Sequence, residues 1–130
     1  MAKRKLTSED KQALFELGRN WGKIVSRHAY GDDGPDLDVD LADMEEVADA
    51  VMRGVAAGSL ETATSKQAQR LGDNKPCPDC GRSCPLVRES RSVTARTGPF
   101  EHDEPKGHCP ACRRDFFPPA AASEAGQPRV

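Results

Sequence analysis

Apolar residues recur at helical spacing through the first half of the chain. Leu14, Leu17, Trp21, Ile24, Val25 and His28 fall on one side of a helix, and Phe15 widens the stripe. Ser8 is a good N-cap, and Glu9 and Asp10 suit the positive end of a helix. A first helix is therefore predicted from residue 8 to Tyr30-Gly31, with a turn at Asp32-Asp33-Gly34-Pro35. Leu37, Leu41, Met44, Ala48, Val51 and Val55 then alternate in steps of four and three. That pattern predicts a second helix from Asp38 to Val55, with a narrow apolar seam suited to the first helix or to another chain. Gly58 interrupts it, and Ser59 can cap a third, more polar helical segment ending at Leu71.

Beyond the linker Gly72-Asp73-Asn74-Lys75-Pro76 the texture changes. Arg91 to Thr97 favours a strand, Gly98-Pro99 marks a turn, and Phe100 to Pro105 returns as a second strand. The expected class is α+β: an N-terminal helical hairpin or three-helix region followed by a small β-ribbon. The expected divisions are a basic mobile leader (1–7), a helical region (8–72), the ribbon (76–119) and a disordered tail (120–130).

The ribbon carries the chain's clearest chemistry. Cys77-Pro78-Asp79-Cys80 and Cys109-Pro110-Ala111-Cys112 are two C-P-x-C knuckles, and 28 residues separate the pairs. A hairpin can leave one knuckle and return to the other, so that four thiolates converge on one tetrahedral ion. Cys77, Cys80, Cys109 and Cys112 are the expected ligands of one structural Zn2+. Gly81 can take the positive φ that such a turn requires. Iron is the rival for the same sulfurs, as in rubredoxin-like electron carriers. The ribbon's only aromatics are Phe100, Phe116 and Phe117, a thin shell for a redox centre. Cys84 reads as a small, partly buried thiol, His108 as pointing away from the metal, and His102 as exposed.

Composition narrows the reading. Aromatics make up 5% of 130 residues, so a small core needs help from metal or a partner. No run of about 18 apolar residues is present, so no membrane span is expected. The basic start lacks the apolar stretch of a signal peptide. Five cysteines in CxxC spacing fit metal in a reducing cytoplasm better than a disulfide framework. The net charge of -2 hides an asymmetry. Residues 1–30 carry seven Lys/Arg against three Asp/Glu, and residues 31–58 carry nine Asp/Glu against one Arg. The acids lie on a helix start and read as a solvated face rather than a magnesium site. Candidate phosphate contacts are Lys3, Arg4 and Lys5 in the leader, and Arg91, Arg96, Arg113 and Arg114 in the ribbon.

Four cysteines close the coordination sphere and leave no position for a reactive water, so a catalytic zinc is not expected. No nucleophile–base motif or phosphate-binding glycine loop is present. The string C-P-D-C-G-R-S-C-P-L, then R-S-V-T-A-R-T-G-P-F-E, then H-C-P-A-C-R-R-D-F-F-P-P resembles the N-terminal zinc-ribbon segment of insertion-sequence transposases of the ISKra type. The resemblance covers residues 77–119. It implies a ribbon serving DNA recognition or assembly, with the four cysteines above as metal ligands. It also implies that strand-transfer chemistry belongs to a later RNase H-like domain of the DDE type, whose acids have no counterpart in these residues. Lys106-Gly107-His108 stands where such proteins often place an aromatic pair.

The expected function is that of a non-catalytic zinc-ribbon protein that binds DNA or serves assembly. The alternative is a small zinc-stabilised adaptor that binds another protein, or itself, through the Leu37–Val55 seam. Neither membrane nor small-molecule substrate is expected as a partner.

Overall fold

The computed structural model describes residues 5–118. Two helices, α1 (Ser8–Tyr30) and α2 (Leu41–Gln69), precede four strands: β1 (Asn74–Pro76), β2 (Ser83–Ala95), β3 (Gly98–Cys109) and β4 (Arg114–Phe116). The sheet is antiparallel throughout, in the order β1-β2-β3-β4. The class is α+β, with the helices first. Two compact units divide between Met44 and Glu45, so the ribbon shares a unit with most of α2. The leader residues 1–4 and the tail from residue 119 lie outside the described residues.

Both helices start on a reciprocal cap. Thr7 Oγ1 accepts the Asp10 N–H at 3.1 Å, and Asp10 Oδ2 accepts the Thr7 N–H at 2.9 Å. The cap is therefore Thr7 and not Ser8. The residue three beyond Ser8 is Lys11, which has no acceptor to return the bond. The same rule moves the start of α2. Asp40 Oδ1 accepts the Asp43 N–H at 2.8 Å and Asp43 Oδ2 accepts the Asp40 N–H at 3.3 Å, whereas Leu41 stands three beyond Asp38. Gly31 closes α1 at a φ of 87°, its N–H donating to the Arg27 carbonyl at 2.8 Å.

The expected third helical segment is not separate, because α2 runs unbroken through Gly58. A helical glycine costs only about 1 kcal/mol against alanine. Contacts on either side of it hold the helix to the sheet. Ala57 and Leu60 pack on Val93 and Phe100 of the ribbon. Glu61 Oε2 accepts the Glu101 N–H at 3.0 Å, and Arg88 Nη2 donates to the Ala68 carbonyl at 3.4 Å.

The β2–β3 hairpin is longer than its strand-like stretch. β2 begins at Ser83 rather than Arg91, and Arg96-Thr97 forms the turn, two residues before the expected Gly98-Pro99. The polar middle of β2 gains its pairing from diagonal charges across the strands. Lys106 Nζ reaches Glu89 at 2.6 Å, and Arg91 Nε donates to Glu104 at 2.5 Å. Pro99 and Pro105 are tolerated in β3, since β4 pairs only with Gly107 to Cys109 and leaves that edge open beside both prolines.

His102 was expected to be exposed and is buried, at 1% exposure. Strand phase explains this. Phe100 faces the core, and residues two apart share a face, which carries His102 and Glu104 inward with it. Among the described residues no helix is long and apolar enough to cross a membrane.

Candidate metal centre

The open end of the hairpin holds the second core cluster: buried Cys77, Cys84 and Cys109, with Cys112 and Phe116 against them. Short outer strands build it. β1 pairs Lys75 with Cys84, and β4 pairs Cys109 with Arg114, so each knuckle is bracketed by sheet. Gly107 lets the cluster close. The Phe116 ring lies where a Cβ on Gly107 would stand, so only glycine fits beneath it. The aromatic missing before the second knuckle is thus supplied after it.

The knuckles follow one plan. In the first, the Gly81 N–H donates to the Cys77 carbonyl and the Cys77 N–H to the Arg82 carbonyl, both at 2.8 Å. The Asp79 N–H points at Cys77 Sγ at 3.4 Å, and the Cys112 N–H at Cys109 Sγ at 3.5 Å. Such donors offset negative charge on a thiolate. The residue after each second cysteine takes positive φ: 78° at Gly81, as expected, and 55° at Arg113. Arg114 ties the knuckles together, reaching Asp79 at 3.1 Å.

The sulfurs of Cys77, Cys80, Cys109 and Cys112 all lie within 4.8 Å of one another. Cys77 and Cys112 stand 3.8 Å apart, and Cys80 and Cys109 3.6 Å. A tetrahedron with Zn–S bonds of about 2.3 Å has edges of about 3.8 Å, so the four sulfurs fit a single ion. They are too far apart for a disulfide, whose S–S bond is about 2.05 Å. Comparison with protein-family models, curated proteins and solved structures finds no match to this chain.

Electrostatics supports the same reading. The Cys112 N–H helps bring Cys109 down to about 6, while Cys112, pressed first by Cys80 and then by Cys77, is pushed up to about 12. Four thiols this close do not ionise together without a cation among them. A divalent ion supplies the charge that lets each sulfur bind as thiolate. Cys84 behaves differently. It is fully buried, burial first and Cys109 second raise its pKa, and it donates to the Arg82 carbonyl at 3.3 Å. It packs beside the ligands without joining the group of four.

Neither ribbon histidine belongs to that group. His108, 58% exposed, meets Asp115 at 2.8 Å through Nδ1. The candidate phosphate contacts are dispersed. Arg91 bonds buried Glu104, and Arg114 bonds Asp79. Arg96 is exposed at the hairpin turn, Arg113 is exposed after the second knuckle, and Lys5 is exposed ahead of α1. Lys3 and Arg4 lie outside the described residues. A groove of about 520 Å³ between α2 and β3 is lined by Glu61, Glu101 and Asp103 with Lys66, a rim that repels phosphate.

Sequence reasoning missed the positive φ of Arg113, the seat of Phe116 on Gly107 and the His108–Asp115 pair. The first was available, because Arg113 occupies the place of Gly81 in the second knuckle. The other two depend on the β3–β4 register.

Proposed function

We propose that the chain is a non-catalytic assembly module in which one structural zinc ion staples the ribbon. The observation that carries this reading is the four-sulfur cluster: protein ligands fill every tetrahedral position, leaving none for substrate or water. Cys77, Cys80, Cys109 and Cys112 would hold the ion, and its contribution would be to folding rather than to reaction. Zinc is favoured over iron by the thin surroundings. Phe116 is the aromatic packed on the cluster, and Cys80 is exposed.

Protein is favoured over DNA as the bound partner, because Arg91, Lys106 and Arg114 of the ribbon are engaged in ion pairs within the chain while both helices carry apolar stripes. The DNA reading keeps two supports. Arg82, Arg96 and Arg113 are exposed on the ribbon, and the likeness to transposase N-terminal ribbons points the same way.

Elemental analysis of purified protein tests the staple: about one zinc per chain is expected. A folded protein without metal, or a coloured one with a thiolate-to-iron absorption band, defeats it. Retention on DNA at low salt that falls steeply with added salt would favour the DNA reading. Absence of retention at low salt, or retention indifferent to salt, removes phosphate contacts from the account.

A further inference from the structure

The five cysteines of the ribbon are unequal toward a dissolved oxidant. Cys77, Cys84 and Cys109 are buried, Cys112 is half-buried, and Cys80 is exposed. The approach beside Cys80 is open: apart from the chain neighbours, no atom stands within 4 Å of where a Cβ on Gly81 would lie. Oxidation of a thiolate follows its accessibility, so Cys80 is the sulfur a peroxide meets first.

A partner for Cys80 is already in place. Its Sγ lies 3.6 Å from Cys109 Sγ, and Cys77 Sγ lies 3.8 Å from Cys112 Sγ. Both contacts run between the knuckles. Each pair must close by about 1.6 to 1.8 Å to form a disulfide of about 2.05 Å. Cys84 stands apart: it is fully buried, donates to the Arg82 carbonyl and lies outside the group of four. We propose that Cys80 is a site of oxidative modification by hydrogen peroxide, resolved by Cys109, so that oxidation exchanges the zinc ion for a covalent brace between the knuckles.

The chemistry balances in two steps. The Cys80 thiolate attacks one peroxide oxygen, the O–O bond breaks, and a sulfenic acid and hydroxide form. The Cys109 thiolate then attacks the sulfenic sulfur, the S–S bond forms and a second hydroxide leaves. Two electrons pass from the two sulfurs to the peroxide, and two protons from solvent turn both hydroxides into water. Zinc keeps two ligands of four and dissociates. A second peroxide joins Cys77 and Cys112 in the same way, and Cys84 stays a thiol. A bond within one knuckle would close only its own short loop. Cys80–Cys109 ties both ends of the hairpin across 28 intervening residues, as the ion did. The inference rests on the zinc-stapled reading above and adds what replaces the staple under oxidant.

The test treats the full chain with hydrogen peroxide after its zinc content has been measured. Zinc release is followed with a chromogenic chelator, remaining thiols are alkylated, and the links are mapped by peptide mass spectrometry. Release of the bound zinc is expected, with Cys80–Cys109 and Cys77–Cys112 linked and Cys84 alkylated. Dimedone present during the reaction should label Cys80 ahead of the other ligands. Cys84→Ser should change neither the release nor the links, and dithiothreitol with added zinc should restore the starting protein. Hydrogen exchange separates a brace from mere damage. Residues 74–84 and 107–116 should keep their amide protection in the oxidised, zinc-free protein and lose it in the reduced, chelated one. Links within a knuckle, a disulfide to Cys84, zinc retained under peroxide, or protection lost on oxidation overturns the exchange. A chain that holds no zinc before treatment defeats the staple instead, and its disulfide map still decides the pairing.

Discussion

Arg113 occupies a backbone conformation in which a side chain is costly. Its φ of 55° repeats that of Gly81, and the repeat follows from the knuckle turn itself. Arg113→Gly is therefore expected to raise the stability of the zinc-loaded protein by about 1 kcal/mol, read as a higher urea midpoint at unchanged slope. A fall in the midpoint would mean that the arginine side chain contributes more than its backbone costs. The chemistry of the cysteines and the glycine-like place after each pair are visible from spacing alone. The burial of His102 is not, because an isolated charged stretch carries no sign of which strand face turns inward.

At the scale of elements, Gly58 separates propensity from packing. It stands in the middle of α2, and an added Cβ would meet nothing within 4 Å. Gly58→Ala should stabilise the protein by about 1 kcal/mol, whereas a glycine that ended a helix would be harmed by the change. Thermal unfolding of the zinc-loaded chain decides between them. The helix stripe, the turn after Gly31 and the hairpin's return were all legible in the sequence. The join between the second and third helical segments was not, since it depends on Ala57 and Leu60 meeting Val93 and Phe100.

β4 is pinned by a charge cluster of its own. The hydrogen bond with His108 first, and the nearby Lys106 charge after it, hold the Asp115 carboxyl below its ordinary range. A carboxyl depressed in the folded state adds stability above its unfolded pKa, and that stability fades as pH falls through the folded value. Asp115→Asn should therefore lower the urea midpoint near neutral pH. The gap to wild type should narrow below about pH 4. A gap that does not narrow there would assign the effect to another group.

For the whole molecule, the proposed metal would hold the ribbon at one end, and α2 packs on the other. The knuckle end has only Cys77, Cys84, Cys109, Cys112 and Phe116 as its core. A chelator is expected to strip amide protection from residues 74–84 and 107–116, seen by hydrogen exchange with mass spectrometry, before the Val93–Phe100 end opens. Protection unchanged after complete metal loss would contradict the staple.

The amino-acid sequence by itself determined the local and periodic features: two amphipathic seams, two knuckles and the sulfur count that closes a tetrahedron. These depend on residues within a few positions of one another, or on a spacing that any hairpin satisfies. Tertiary structure alone decided what crosses between elements. The β3–β4 register seats Phe116 on Gly107. Packing on Val93 and Phe100 carries α2 through a glycine, and the strand face set by Phe100 buries His102 and Glu104. Each is a contact between distant parts of the chain, and its energy exists only once those parts have met.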